Sequence, residues 1–369
     1  MTTESMRRVG DLPTPTLVVD AGAFERNLTA MAAVRPGETL RPHVKAHKST
    51  SLAAHQAAHG HLTFTCATPR EVVGMAEAGV GTDLLLANET VDPVRLAAMA
   101  RAESATGAMV TVAIDSLETL GAARDAGIRH VLIDVNVGLP RCGIAPERAA
   151  DLAARAAETG LAVRGVMGYE GHLMAVKDRD DQRAKVLASM TTLVECAHAV
   201  RRVVGDGASI VSAGGTGTFD LYDRDHPILR QVNEVQAGSY ALMDSHYGAL
   251  SLPFEQALFV VGTVISRTEG TSEASPSWAV VDIGLKSLGM DHGNPTIAGA
   301  SVWFCSDEHT TFSTNDGAPL PAVGDRVFVR PAHVDPTVAM HAAMHVVDDV
   351  RAGSDARVIE VWPVDLRGW

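Results

Sequence analysis

Eight short strand-forming runs, separated mostly by alanine-rich stretches, occupy the chain up to about residue 240 and constrain its fold more than any other feature. They are TLRPHVK (39–45), TFTCA (63–67), DLLLAN (83–88), MVTVAI (109–114), HVLIDVNV (130–137), AVRGVMGY (162–169), SIVSAGG (209–215) and NEVQAG (233–238). The gaps, among them PREVVGMAEAG, DPVRLAAMARAES and ERAADLAARAAETG, repeat their apolar residues at helical spacing. Strands alternating with helices predict parallel β/α units, and eight is the number that closes a barrel. An open doubly wound sheet is the competing arrangement. After about residue 250 the helical runs stop and short β-like pieces follow: ALFVVGTVISR, SWAVVDIG, DRVFVRP and ARVIEVWPV. The expected fold is therefore α/β, a (β/α)8 TIM-like barrel with a C-terminal all-β domain. The barrel is expected over residues 22–250. The β domain is expected from 251–369 together with 1–21, which holds the early strand TLVVD (16–20).

Composition narrows the class of partner. With 46% hydrophobic and 20% charged residues the chain is globular rather than disordered. A formal charge of -13 argues against nucleic acid or an anionic membrane as partner, since either selects a basic face. No apolar run approaches the roughly 18 residues of a membrane span, and MTTESMRRVGDLPTP has no apolar core for a signal peptide. Cys66, Cys142, Cys196 and Cys305 lie far apart and form no CxxC. Reduced thiols in a cytoplasmic protein are expected.

Against this acidic background RPHVKAHK (41–48) is anomalous, for five of its eight residues are His, Lys or Arg. On a strand, side chains two apart share a face. Arg41, His43, Lys45 and His47 would then point into a barrel, toward the mouth where barrel active sites lie, with Pro42, Val44 and Ala46 packed outward on helices. A lysine crowded by positive groups has a depressed pKa and is a good Schiff-base nucleophile. Such a lysine suggests pyridoxal phosphate, which needs a phosphate cup. SAGGTGT (212–218) and QAGSY (236–240) follow the seventh and eighth runs, where β/α barrels most often bind phosphate through backbone N–H groups.

At these residues the chain resembles the pyridoxal-phosphate enzymes of the alanine racemase fold, and within them the D-threonine aldolase and D-serine dehydratase branch. RPHVKAHK together with PAHVDPT (331–337) carries the resemblance. TPTLVVDAGAFERN (14–27), VNVGLPRCG (135–143), GYEGH (168–172), VQAGSYALMD (235–244) and DEH (307–309) support it over nearly the whole length. The resemblance implies that Lys45 carries the cofactor, with Arg141 near its phenolate oxygen and Tyr169 near its pyridine nitrogen. Gly215, Thr216, Gly217, Gly238, Ser239 and Tyr240 would form the phosphate cup. It also implies that His333 and Asp335, two apart in a segment expected to be extended, hold a divalent metal. Where the dehydratases usually have Cys, this chain has Asp335, a hard ligand that favours Mn²⁺, Mg²⁺ or Ca²⁺ and leaves zinc open. The expected reaction is retro-aldol cleavage of a D-3-hydroxy amino acid to glycine and an aldehyde, in a homodimer. His172 is the expected general base and His309 a further candidate near the metal. A dehydratase acting on D-serine or D-threo-3-hydroxyaspartate, giving a 2-oxo acid and ammonia, is the alternative. A racemase would not need the His333/Asp335 pair, and a non-catalytic cofactor carrier would lack the β domain.

Overall fold

A computed structural model describes residues 7–272 and 276–369. Residues 1–6, part of the segment read as lacking a signal peptide, lie outside the described residues. The chain divides into two compact units, Met31–Gly238 with Leu366–Trp369, and Met1–Ala30 with Ser239–Asp365.

The chain's first strand, β1 (Thr16–Asp20), belongs to the second of these units. The first unit is built on seven parallel strands in sequence order: β2 (Thr63–Cys66), β3 (Asp83–Leu86), β4 (Met109–Ile114), β5 (His130–Asp134), β6 (Ala162–Gly168), β7 (Ile210–Ala213) and β8 (Glu234–Val235). Extended residues 40–43 close the ring. Leu40 bridges in parallel to Val235 of β8, and His43 to Thr65 of β2. The expected barrel is present, but its first strand is reduced to these two bridges. The strand was expected to run through Lys45; instead the backbone turns into a 3-10 segment, Val44–Ala46. Two local causes act. Pro42 has no N–H for a ladder, and the Nδ1 of His43 accepts the Lys45 N–H at 3.5 Å, bending the chain as a cap does.

The barrel interior is layered. Its floor is ionic: buried Arg41 pairs with Asp83 (3.1 Å) and Glu234 (2.8 Å), and Arg164 binds the second oxygen of Asp83 (2.5 Å). Above it Leu85, Ala113, Leu132 and Met167 pack as an apolar cluster. Capped helices surround the ring. The helix Pro69–Glu77 starts with a capping box in which Thr68 Oγ1 accepts the Glu71 N–H, and Glu71 reaches back to the Thr68 N–H.

The second unit is mostly β, with short helical turns and the start of the helix Ala21–Val34. β9 (Leu258–Thr268), β10 (Trp278–Val281), β11 (Thr296–Ile297), β12 (Ala300–Cys305), β13 (Thr310–Thr314) and β14 (Arg326–Arg330) form an antiparallel ring, closed because β10 pairs with both β13 and β9. β15 (Ala343–Val347) and β16 (Val358–Pro363) extend it. The early strand joins as expected: β1 lies between β9, antiparallel, and β15, parallel, and all five of its residues are buried. Val18 packs in a cluster with Val9, Leu12, Val261 and Val347.

Candidate active site

The barrel mouth gathers most of the residues expected to hold a cofactor. Lys45 sits in the 3-10 turn between two buried histidines. Three of the cationic groups expected around it do not charge it, although Lys48 Nζ donates to the Lys45 carbonyl oxygen. Arg41 points to the floor, where two carboxylates neutralise it. Burial pushes the His43 imidazole well below its usual range, and that of His47 down to about 3. Both rings act as neutral acceptors, each taking a main-chain N–H two residues on: Lys45 for His43, and Ser49 for His47 at 3.2 Å. The histidines of RPHVKAHK therefore shape the turn that presents Lys45, rather than charging it.

Arg141 stands on a loop, residues 135–144, whose ends bridge as Val135 and Ile144. The Gly143 N–H donates to Asp115 (3.2 Å) and the Gly138 N–H to Asn136 (2.9 Å), fixing the loop between. The Arg141 guanidinium lies 5.4 Å from the centroid of the Tyr169 ring, a cation–π contact. Tyr169 ends β6. A Cβ on Gly171 would reach its ring at 2.4 Å and one on Gly215 at 3.6 Å, so the ring lies against both glycines. His172 is exposed in the next turn, beside Gly138.

The expected cup loops are glycine-rich because nothing larger fits. A Cβ on Gly217 would lie 2.2 Å from the Met174 carbonyl oxygen, and one on Gly238 would lie 2.5 Å from that of His43. The second contact, with the His43 N–H donating to Ala237 O (3.1 Å), sets the second cup loop directly against the lysine turn. Thr216 and Ser239 are buried. Tyr240 is wholly buried and packs on Phe254 with ring centroids 5.6 Å apart. Cup glycines, a fixed arginine and a turn-borne lysine fit a phosphorylated pyridine aldehyde.

Two features of this mouth were not read from the sequence. Glu170 is buried and ties β6 to the first cup loop: its carboxylate accepts from Tyr222 Oη, from Thr218 Oγ1 (2.8 Å) and from the Gly214 N–H (3.2 Å). Burial raises its pKa, and the three hydrogen bonds oppose that shift. Asp134 is the second. Burial and then the neighbouring Glu89 hold its carboxyl well above the usual range. GYEGH contains the Glu170 signal, for a charged residue directly after a barrel strand must find partners or solvent.

The pair expected to hold a metal lies in the β unit. His333 and Asp335 are not on one extended face: His333 precedes the short helix Val334–Ala339, and Asp335 lies in its first turn. Pro336, which needs no N–H donor so early in a helix, is the overlooked signal. The two still meet, with His333 Nε2 and Asp335 Oδ2 3.6 Å apart. Asp291, which the sequence reading missed, lies 2.7 Å from His333 Nδ1. A carboxylate there accepts a hydrogen bond from Nδ1–H, which directs the Nε2 edge toward Asp335. Ligand bonds to a divalent ion are about 2.0–2.2 Å, so two donors 3.6 Å apart can share one. The donors present thus fit a divalent cation. Buried Asp244 braces them, its Oδ2 accepting the Val334 N–H (3.0 Å) and its Oδ1 the Tyr247 N–H (2.9 Å). His309 is not part of this group; its Nδ1 lies 3.5 Å from Ser306 Oγ.

A β/α barrel with a lysine turn against glycine cups, in a chain that also builds a closed β unit, defines the alanine racemase class of pyridoxal-phosphate fold. The chain belongs to the alanine racemase N-terminal domain family, whose model matches residues 19–246; a putative serine dehydratase domain matches 257–347. It is 32% identical to a D-threonine aldolase of Arthrobacter sp over 96% of this chain and 93% of that one. It is 31% identical to a 3-hydroxy-D-aspartate aldolase of Paracoccus denitrificans over 97% and 93%. The crystal structure of D-threonine aldolase from Filomicrobium marinum superposes with a TM-score of 0.88 at 32% identity, covering 98% of both chains.

Proposed function

We propose that this protein is a pyridoxal-phosphate- and divalent-metal-dependent lyase that cleaves D-3-hydroxy amino acids to glycine and an aldehyde. The observation that carries the reading is the His333/Asp335 pair with its Asp291 brace, because reversing an aldol addition requires activation of the β-hydroxyl and racemisation does not. Membership of the family, and two aldolases among the relatives, support it. The cofactor supplies a sink for the electron pair released when Cα–Cβ breaks, and the ion lowers the pKa of the β-hydroxyl.

The protein's own residues do the rest. Lys45 would hold the cofactor covalently. Arg141 holds the phenolate oxygen with a fixed positive charge. Tyr169 offers the pyridine nitrogen a neutral hydroxyl, which leaves that nitrogen less protonated than a carboxylate would. Gly215, Thr216, Gly217, Gly238, Ser239 and Tyr240 hold the phosphate. His333 and Asp335 bind the ion, and the oxygen ligand Asp335 suits Mn²⁺, Mg²⁺ or Ca²⁺. His172, exposed at the mouth, takes the hydroxyl proton. A homodimer in the cytoplasm fits this reading, with the four cysteines free thiols. No helix among the described residues is long and apolar enough to cross a membrane.

The test is to incubate purified protein with D-threonine and with D-serine, assaying glycine, 2-oxo acid and ammonia separately. Glycine and acetaldehyde from D-threonine, lost on chelation and restored by Mn²⁺, are expected. A 2-oxo acid with ammonia as the main products would transfer the reading to a dehydratase.

A further inference from the structure

Glu170 and Tyr222 form a buried acid–phenol pair to which the proposed chemistry gives no task. The Glu170 carboxylate accepts from Tyr222 Oη, from Thr218 Oγ1 (2.8 Å) and from the Gly214 N–H (3.2 Å), and all three donors are neutral. Among the described residues it enters no ion pair. A buried carboxyl without a countercharge is costly to keep. What its donors share is their place. Gly214 and Thr218 bracket the first cup loop. Tyr222 packs on that loop, for a Cβ on Gly214 would meet its Oη at 2.7 Å. Gly214 itself has a φ of +82°, a conformation that glycine adopts without strain.

Most of the loop's polar groups are spent within the protein. The Gly215 N–H donates to Thr218 Oγ1 (3.3 Å), and the Thr218 N–H to Gly215 O (3.2 Å). Gly217 O accepts from Arg179 (3.0 Å) and from the Gln182 side-chain amide (3.2 Å). Tyr222 is held in its turn by Arg35, whose guanidinium donates to Phe219 O (2.9 Å) and Tyr222 O (2.8 Å) and lies 5.6 Å from the centroid of the Tyr222 ring. The Gly217 N–H is different. Gly217 is buried, and among the described residues this N–H has no acceptor. Buried N–H groups rarely stay unpaired, and a phosphate oxygen is an acceptor that a glycine loop can admit.

We infer that Glu170, oriented by Tyr222, is a positioning residue for the cofactor phosphate: by fixing Gly214 and Thr218 it aims the Gly217 N–H at a phosphate oxygen, so that the site selects the phosphorylated cofactor over free pyridoxal. The inference rests on the reading that the cofactor is pyridoxal phosphate bound at Lys45. Glu170 acts as an acceptor rather than as a charge, so an amide can take its place. A Gln carbonyl oxygen accepts the Gly214 N–H, and its NH₂ donates to the two hydroxyls, which accept as readily as they donate. Alanine leaves the Gly214 N–H unpaired and the loop without its brace.

The experiment strips cofactor from the full-length protein and measures binding of pyridoxal 5′-phosphate and of pyridoxal by equilibrium dialysis. It compares wild type with Glu170→Gln, Glu170→Ala and Tyr222→Phe. Wild type should prefer the phosphorylated form. Glu170→Ala should weaken binding of that form by about 10–100-fold, the worth of a hydrogen bond to a charged group, and leave pyridoxal binding unchanged. Glu170→Gln should bind both forms as wild type does. Tyr222→Phe removes one of the three donors and should weaken the phosphorylated form alone, by about 2–10-fold. It decides the matter if Glu170→Ala does not fold. Parallel losses of both forms would mark a general brace and overturn the inference. So would a Glu170→Gln loss equal to that of Glu170→Ala, wild-type binding by Tyr222→Phe, or a wild type that binds pyridoxal as tightly as its phosphate. If wild type binds neither form, the cofactor reading itself falls, and the inference with it.

Discussion

His47 is wholly buried two residues past Lys45, and its imidazole is pushed down to about 3 by burial and then by Lys48. In the unfolded chain it returns to about 6.5. Between these values the unfolded state binds a proton that the folded state refuses, so stability falls as pH drops from about 6.5 toward 3. At pH 5 this one group costs about 2 kcal/mol relative to pH 7. His43 acts in the same direction; Asp134 and Glu170, whose pKa values are raised, act in the opposite one. The measurement is therefore differential: urea midpoints at pH 7 and pH 5 for wild type and His47→Gln. The variant should show the smaller acid loss, and identical losses would show that His47 is not the sensitive group. On the metal side, Asp291→Ala removes the acceptor that orients His333 and should weaken Mn²⁺ binding by about 10–100-fold. Calorimetric titration measures this without any turnover, and unchanged affinity would remove Asp291 from the site.

Among the elements, the contact between the second cup loop and the lysine turn is the most exposed to a single change. Gly238→Ala places a methyl 2.5 Å from the His43 carbonyl oxygen, a backbone atom that cannot swing aside. It should cost about 1–3 kcal/mol of stability and loosen cofactor binding, seen as a weaker dissociation constant on reconstitution. Gly207→Ala, with nothing within 4 Å, is the control; equal effects would mean the contact is not tight. The same place shows where sequence reasoning reached its limit. β2 to β8 fall within the expected runs, because a buried parallel strand writes itself as a short apolar stretch bounded by turns. The run at 39–45 obeys the same pattern yet stops at His43, because a side-chain nitrogen there competes for the backbone. Face alternation cannot register that competition, so the strand was expected to run on through Lys45 where the chain turns instead. The pair at His333 and Asp335 was found by resemblance rather than periodicity. Asp291 was missed because its approach to His333 is a tertiary contact across 42 residues of chain.

Over the whole molecule, the β unit is assembled from both ends of the sequence, with β1 at 16–20 lying between β9 and β15. All five residues of TLVVD are buried, as befits a strand with a neighbour on each side. Val18→Ala, in the core cluster with Val261 and Val347, should lower stability by about 1–3 kcal/mol. An equivalent loss is expected in no exposed valine, and Val94→Ala serves as comparison; an unchanged urea midpoint for Val18→Ala would contradict the central place of β1. A ribosome delivers the barrel segment in one uninterrupted run, but it releases β1 long before either neighbour exists. At about 5–20 residues per second, β9 follows β1 by roughly 10–50 seconds and β15 later still. For that interval the nascent chain carries Leu17, Val18 and Val19 without the strands that will bury them.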